Sequence, residues 1–170
     1  MMRWLVNRRL NRMEKFLGVP IDETRYMAAH SLDALRACAG LRQLSEYHGS
    51  LDLEVYFTAK IAAYRQQDCG SCLQITVNLA RKARVRAELI RDLIAGRVQT
   101  LPEPLRDVYR FAEEQSNRID NPELRELLRQ RYGDAGLIAL ALAITSAGTF
   151  PTMKRALGYA TSCSRVQIVA

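Results

Sequence analysis

The chain has 170 residues, of which 48% are hydrophobic and 25% charged, and a formal charge of +7 set by 25 basic and 18 acidic side chains. These proportions describe one domain with enough apolar content for a sizeable core, and they exclude an intrinsically disordered chain. Acidic residues are mixed among the basic ones along most of the sequence, so the positive balance is read as solvated surface, and neither a nucleic acid nor a membrane is expected as partner.

Apolar residues recur at helical spacing almost throughout and almost nothing alternates like a strand, so the expected fold class is an all-α, single-domain helical bundle over 1–170. The first segment places Leu5, Leu10, Met13, Phe16 and Leu17 on a basic helix. A second helix is expected from an N-cap at Asp22, through Tyr26, Met27, Leu32 and Leu35, to a stop at Gly40. Helices within 1–45 form an extension packed on the core. A third helix is expected over Leu51 to Gln67, with a broad apolar face at Val55, Ala59, Ala62 and Ala63. The pair Cys69 and Cys72 opens a fourth, running to Ala83, and AELIRDLIAG makes a short fifth that ends at Gly96. Prolines at 102 and 104 start a helix that buries Leu105, Val108, Tyr109 and Ala112, and Asn121 caps the next one at Pro122. From Asp134 the chain is apolar almost all round, which predicts a central buried helix broken or kinked at Pro151.

No signal-peptide pattern stands at the N-terminus, and Ala135 to Phe150 is short for a membrane span, so a cytoplasmic location is expected. The four cysteines, Cys38, Cys69, Cys72 and Cys163, are too few for a disulfide scaffold. A C-x-x-C in a reducing compartment points instead to catalysis or metal binding. Closed zinc sites need four ligands, and His30, His48, Cys38 and Cys163 stand isolated, so no metal and no cofactor is expected. His30 and His48 are read as ordinary surface or core histidines, and Cys38 and Cys163 as packing residues.

The stretch RQQDCGSCLQITVNLARKA places the dithiol at a helix start, where unpaired N–H groups and the macrodipole favour thiolate, Cys69 most of all. Gly70 and Ser71 between the sulfurs are small and leave them room to meet. The alternative for the pair is two buried sulfurs packed as small hydrophobes. A dithiol at the junction of two helices, with LEVYFTAKIAAYRQQDCGSC before it and ELIRDLIAG, PEPLRDVYRFAEE and a small-residue-rich last helix after it, resembles the alkylhydroperoxidase D-like and carboxymuconolactone decarboxylase-like superfamily. The resemblance spans Leu51 to Leu157 and rests sharply on Cys69 and Cys72 alone.

The resemblance implies a thiol–disulfide oxidoreductase or peroxidase acting on a peroxide or disulfide substrate, recharged by a thiol electron donor, in a homo-oligomer that is a trimer or its multiple, or a dimer. It also implies a Glu and a His flanking the pair, and those positions hold Phe57 and Thr76, so peroxide turnover is expected to be slow. Decarboxylation is not expected, because the histidine it needs has no counterpart. Glu54, three residues before Phe57, is a candidate replacement for the glutamate; otherwise it complements the helix dipole beside Asp52. Thr76 is a candidate hydrogen-bond partner for a thiol; otherwise it bonds back into its own helix. Lys60 and Arg65 are positive charges that would lower a thiol pKa, or else a solvated face. The dipole favours Cys69 as the attacking sulfur and the resemblance favours Cys72. A helical binding or scaffold protein with an idle cysteine pair is the alternative function.

Overall fold

A computed structural model describes residues 2–160, and they are all-helical: no strand occurs among them. Eight α-helices follow one another: α1 (Met2–Leu17), α2 (Asp22–His30), α3 (Leu32–Glu46), α4 (Leu53–Arg65), α5 (Gly70–Lys82), α6 (Ala87–Ala95), α7 (Glu103–Ser116) and α8 (Pro122–Ala156), with one 3-10 turn at Val98–Thr100.

Local chemistry sets most of the ends. The Asp52 side chain accepts from the Glu54 N–H at 2.8 Å and starts α4, while the Asn121 side chain accepts from the Leu124 N–H at 3.0 Å and starts α8 at Pro122. Gly96 closes α6 in the left-handed region, at φ 69°. A Cβ there would stand 2.7 Å from Nη2 of Arg65, so both conformation and space call for glycine.

Three expected helix boundaries need correction. The single helix expected between Asp22 and Gly40 is two: Ser31 accepts from the Ala34 N–H at 3.1 Å and caps α3, which then runs through Gly40 to Glu46. Asp22 is the first helical residue of α2, and the N-cap is Ile21. Pro151 does not break α8, which continues to Ala156; the non-helical residue inside it is Gly133, at φ 71°. A proline near the end of a helix disturbs only the turn before it, whereas a left-handed residue redirects the whole axis.

The central helix is α4, in which every residue from Val55 to Tyr64 is buried. It is covered by α5, α6, α7 and the second half of α8. The apolar run of α8 is buried on one face only, at Ala139, Leu140, Ala143, Ala147 and Pro151, with Ile138 56% exposed opposite. By length and composition this helix would also pass for a membrane span, but its buried face is the wall of the protein core. The α3 helix packs on α2 and α8, and α1 on α2 and α5, so the first three helices lie against the ends of α5 and α8.

Candidate functional site

The turn between α4 and α5 is made by Asp68, a non-glycine residue at φ 46°, and it delivers Cys69 as the N-cap of α5. The Cys69 carbonyl accepts the first helical bond, from the Leu73 N–H at 3.0 Å. Cys72 lies almost one turn on, with a Cα–Cα separation of 5.3 Å, and the two sulfurs are joined as a disulfide. The pair is enclosed: Cys69 is 0% exposed and Cys72 4%.

A chain of polar side chains approaches Cys69 from one side. The Ser71 hydroxyl lies 3.7 Å from Sγ of Cys69, and Nζ of Lys154, near the end of α8, donates to that hydroxyl at 3.2 Å. Lys154 in turn pairs with Oε1 of Glu23 on α2 at 3.4 Å. Both charged residues are buried, Lys154 3% exposed and Glu23 6%. Burying two charges costs several kcal/mol per ion before their mutual attraction is counted, so each holds the other in place and neither would be tolerated alone. Next to them, Sγ of Cys38 on α3 lies 3.7 Å from the sulfurs of both Met27 and Met153. Arg155 donates to the Gln67 carbonyl at 2.6 Å and ties α8 to the loop that carries the disulfide.

The residues expected at the site divide clearly. Cys69 and Cys72 are together. Glu54 sits at the first turn of α4, about 17 Å along the helix from the Arg65 end that leads to the cysteines. Its carboxylate is held in two bonds by Arg86, at 2.6 and 2.8 Å, and that contact lowers its pKa. A depression of about 510 Å³ surrounds this pair, lined also by Asp52, Arg84 and Leu105, and neither cysteine lines it. The structure therefore does not bring Glu54 to the thiols. Thr76 is buried one turn beyond Cys72, and its hydroxyl donates to the Cys72 carbonyl at 3.1 Å, which is the back-bonding geometry within the helix. Phe57 is buried edge-on against Tyr56.

Lys60 is not on a solvated face; it is buried, and its Nζ donates to the carbonyl and hydroxyl of Ser45, both at 2.7 Å. Arg65 points to the Leu93 carbonyl and Gly96. His30 stacks near Tyr26, and His48 near Tyr56. Cys163 lies outside the described residues. Among the described residues no cluster of three or more His, Cys, Asp or Glu is placed to hold a metal ion.

No protein-family model, curated protein or solved structure matches the chain. The chemistry of the site therefore rests on its own geometry. Sequence reasoning missed Glu23, Ser71 and Lys154 as polar partners of the pair. One signal was present: Lys154 continues the spacing of Leu140, Ala143, Ala147 and Pro151, so it falls on the buried face of its helix, and a lysine there demands a partner.

Proposed function

We propose that the protein is a thiol–disulfide oxidoreductase that also reduces peroxides slowly, acting through Cys69 and Cys72 on a helical scaffold of the alkylhydroperoxidase D-like type. The observation that carries this reading is the closed Cys69–Cys72 pair at the start of α5, with a lysine hydrogen-bonded to the serine between the two sulfurs. In the reduced protein one thiolate attacks a partner disulfide, the partner's first sulfur leaves as thiolate, and the second cysteine closes the ring as the partner's second sulfur is released. With a peroxide the attacked oxygen stays on sulfur as a sulfenic acid, alcohol leaves, and the second thiol condenses with loss of water. A thiol donor of the cell reopens the disulfide in either case.

The test is reduction of the native protein with dithiothreitol, removal of reductant, addition of one equivalent of hydrogen peroxide or oxidised glutathione, and peptide mapping. The expected result is loss of two thiols with a 69–72 linkage that a second reduction reverses. A pair that stays closed under reductant, or that stays open under both oxidants while the protein is folded, overturns the reading. The enclosure of both sulfurs favours the second reading, a helical binding or scaffold protein with an idle pair. In that case Cys69→Ser and Cys72→Ser leave every redox rate of the protein unchanged.

A further inference from the structure

We propose that Lys154, acting through Ser71, holds Cys69 of the reduced pair as the thiolate, so that an incoming thiol opens the disulfide at Cys72 and Cys69 is the sulfur that leaves. The inference rests on the redox reading of the pair and assigns the order of attack within it.

The geometry supports this in three steps. The Ser71 hydroxyl joins the two systems: its oxygen accepts from Nζ of Lys154 at 3.2 Å and lies 3.7 Å from Sγ of Cys69. A hydroxyl that accepts from an ammonium has its own hydrogen free to donate, and a thiolate is a much better acceptor than a disulfide sulfur. The second step is electrostatic. Lys154 is almost fully enclosed, so its charge reaches Cys69 through protein rather than through water. The helix end adds to it, because Cys69 is the N-cap of α5, where the macrodipole presents its positive end.

The third step concerns Glu23. Its carboxylate sits 3.4 Å from the lysine and compensates the buried ammonium while the disulfide is closed. When the disulfide opens, the thiolate at Cys69 becomes a second anion for the same lysine. Other charges face this corner too. Asp68 is the neighbouring, exposed carboxylate, and the Arg155 guanidinium lies on the Gln67 carbonyl. They bear opposite signs and both lie nearer to solvent, where their fields are screened. Glu23 belongs to α2, so the helices before α4 complete the site instead of merely resting on it.

A reductant thiolate attacks Sγ of Cys72, the Cys69–Cys72 bond breaks, and its electron pair goes to Sγ of Cys69, which the Ser71 hydroxyl receives. A second reductant thiolate attacks the reductant's sulfur in the mixed disulfide and releases Cys72, which takes a proton from solvent. The lower the pKa of the leaving thiol, the faster it leaves, so stabilising Cys69 directs the attack to Cys72.

The experiment is a pH titration of thiolate absorbance at 240 nm on the fully reduced protein, with the spectrum of Cys69→Ser subtracted to isolate one sulfur. Ser71→Ala removes the bridge, and with it one hydrogen bond of Lys154, while the Lys154–Glu23 pair stays in place. The double variant Glu23→Gln with Lys154→Met removes both buried charges at similar volume and covers the case in which a single change leaves an unpaired ion. Each is expected to raise the Cys69 midpoint by about one pH unit or more, a tenfold or greater loss of thiolate at a fixed pH below the midpoints. As a second readout, the symmetric disulfide of a small thiol is added to each single-cysteine variant: Cys69→Ser is expected to take up one half of it at Cys72, the other half leaving as thiolate, and Cys72→Ser little, because Cys69 is fully enclosed. A Cys69 midpoint that is the same in wild type and both variants overturns the assignment, as does trapping on Cys69 alone. A disulfide that reductant cannot open in the folded protein overturns the redox reading and the assignment together, so the two failures are told apart.

Discussion

Lys60 offers a quantitative test of how the core is wired. It is 3% exposed in the middle of the most buried helix, and its hydrogen-bond partners are the neutral oxygens of Ser45 and Tyr56. Desolvation dominates, with Glu46 opposing it from further away, and lowers its pKa from 10.5 to about 8. Between those two values the unfolded chain carries a proton that the folded chain has released. Stability therefore rises with pH across this window and is flat below it. At about 1.36 kcal/mol per pH unit the full effect is about 3 kcal/mol, of which about 2.5 kcal/mol is gained between pH 7 and pH 10. Burial raises the hydroxyl pKa of Tyr56 and Tyr64, which acts in the opposite sense above pH 10, so the measurement ends there. Urea unfolding at pH 7, 8, 9 and 10, on wild type and on Lys60→Met, isolates the lysine from every other titrating group. With a slope of roughly 2 kcal/mol per molar, the wild-type midpoint should climb by about 1 M relative to the variant. Parallel midpoints would show that water or a counter-charge reaches Lys60 and that the desolvation argument is wrong.

Four further outcomes are expected. Reduction of the Cys69–Cys72 pair should lower the unfolding free energy by about 2 kcal/mol, the entropy of so short a loop, measured by urea unfolding with and without dithiothreitol. Glu54→Gln should leave the rate of disulfide closure unchanged and cost less than about 1 kcal/mol, because its partner Arg86 is largely exposed; since the pair depresses the Glu54 pKa, what it contributes is lost as pH falls through the folded value. Thr76→Val should also leave closure unchanged, its hydroxyl being spent on the Cys72 carbonyl, and a slower closure in stopped-flow would give Thr76 a part in the chemistry. Gly96→Ala should lower stability by about 1–2 kcal/mol, read as a shift in the urea midpoint, through the left-handed backbone and the crowding of Arg65.

Much of the architecture was legible because it is decided within a few residues. The all-α class follows from periodicity, and the ends at Asn121 and Gly96 from single side chains that satisfy or release backbone groups. The boundary at Gly133 was readable in the same way. The break at Ser31 was not, because Tyr26, Met27, Leu32 and Leu35 keep helical spacing across it and the cap is one hydroxyl in a polar stretch. Which helix becomes central was also misjudged. The small residues of α8 suggested burial on all sides, yet small residues equally permit close packing on one face with the other left open, as Ile138 shows.

The site divides along the same line. Cys69 and Cys72 are three apart, and a helix start brings them into bonding distance with no help from the rest of the chain. Glu54 is tied to them only through Phe57, three residues on and close to the same helical face, but rotation about a rod does not shorten it: a residue at the far end of α4 stays far, and Arg86 claims it. The polar partner that does reach Cys69 comes from 83 residues beyond Ser71, and its counter-ion comes from the second helix of the chain. No spacing rule links such positions. What a sequence can supply is the demand: Lys154 falls on the apolar face of α8 and Glu23 lies one turn before Met27, so both charges are carried inward by neighbours that pack. A charge so placed is retained only with a partner, because leaving it unpaired would cost more than most folds can spare. Two such demands of opposite sign in one chain predict each other, and the hydroxyl they meet stands between the two cysteines.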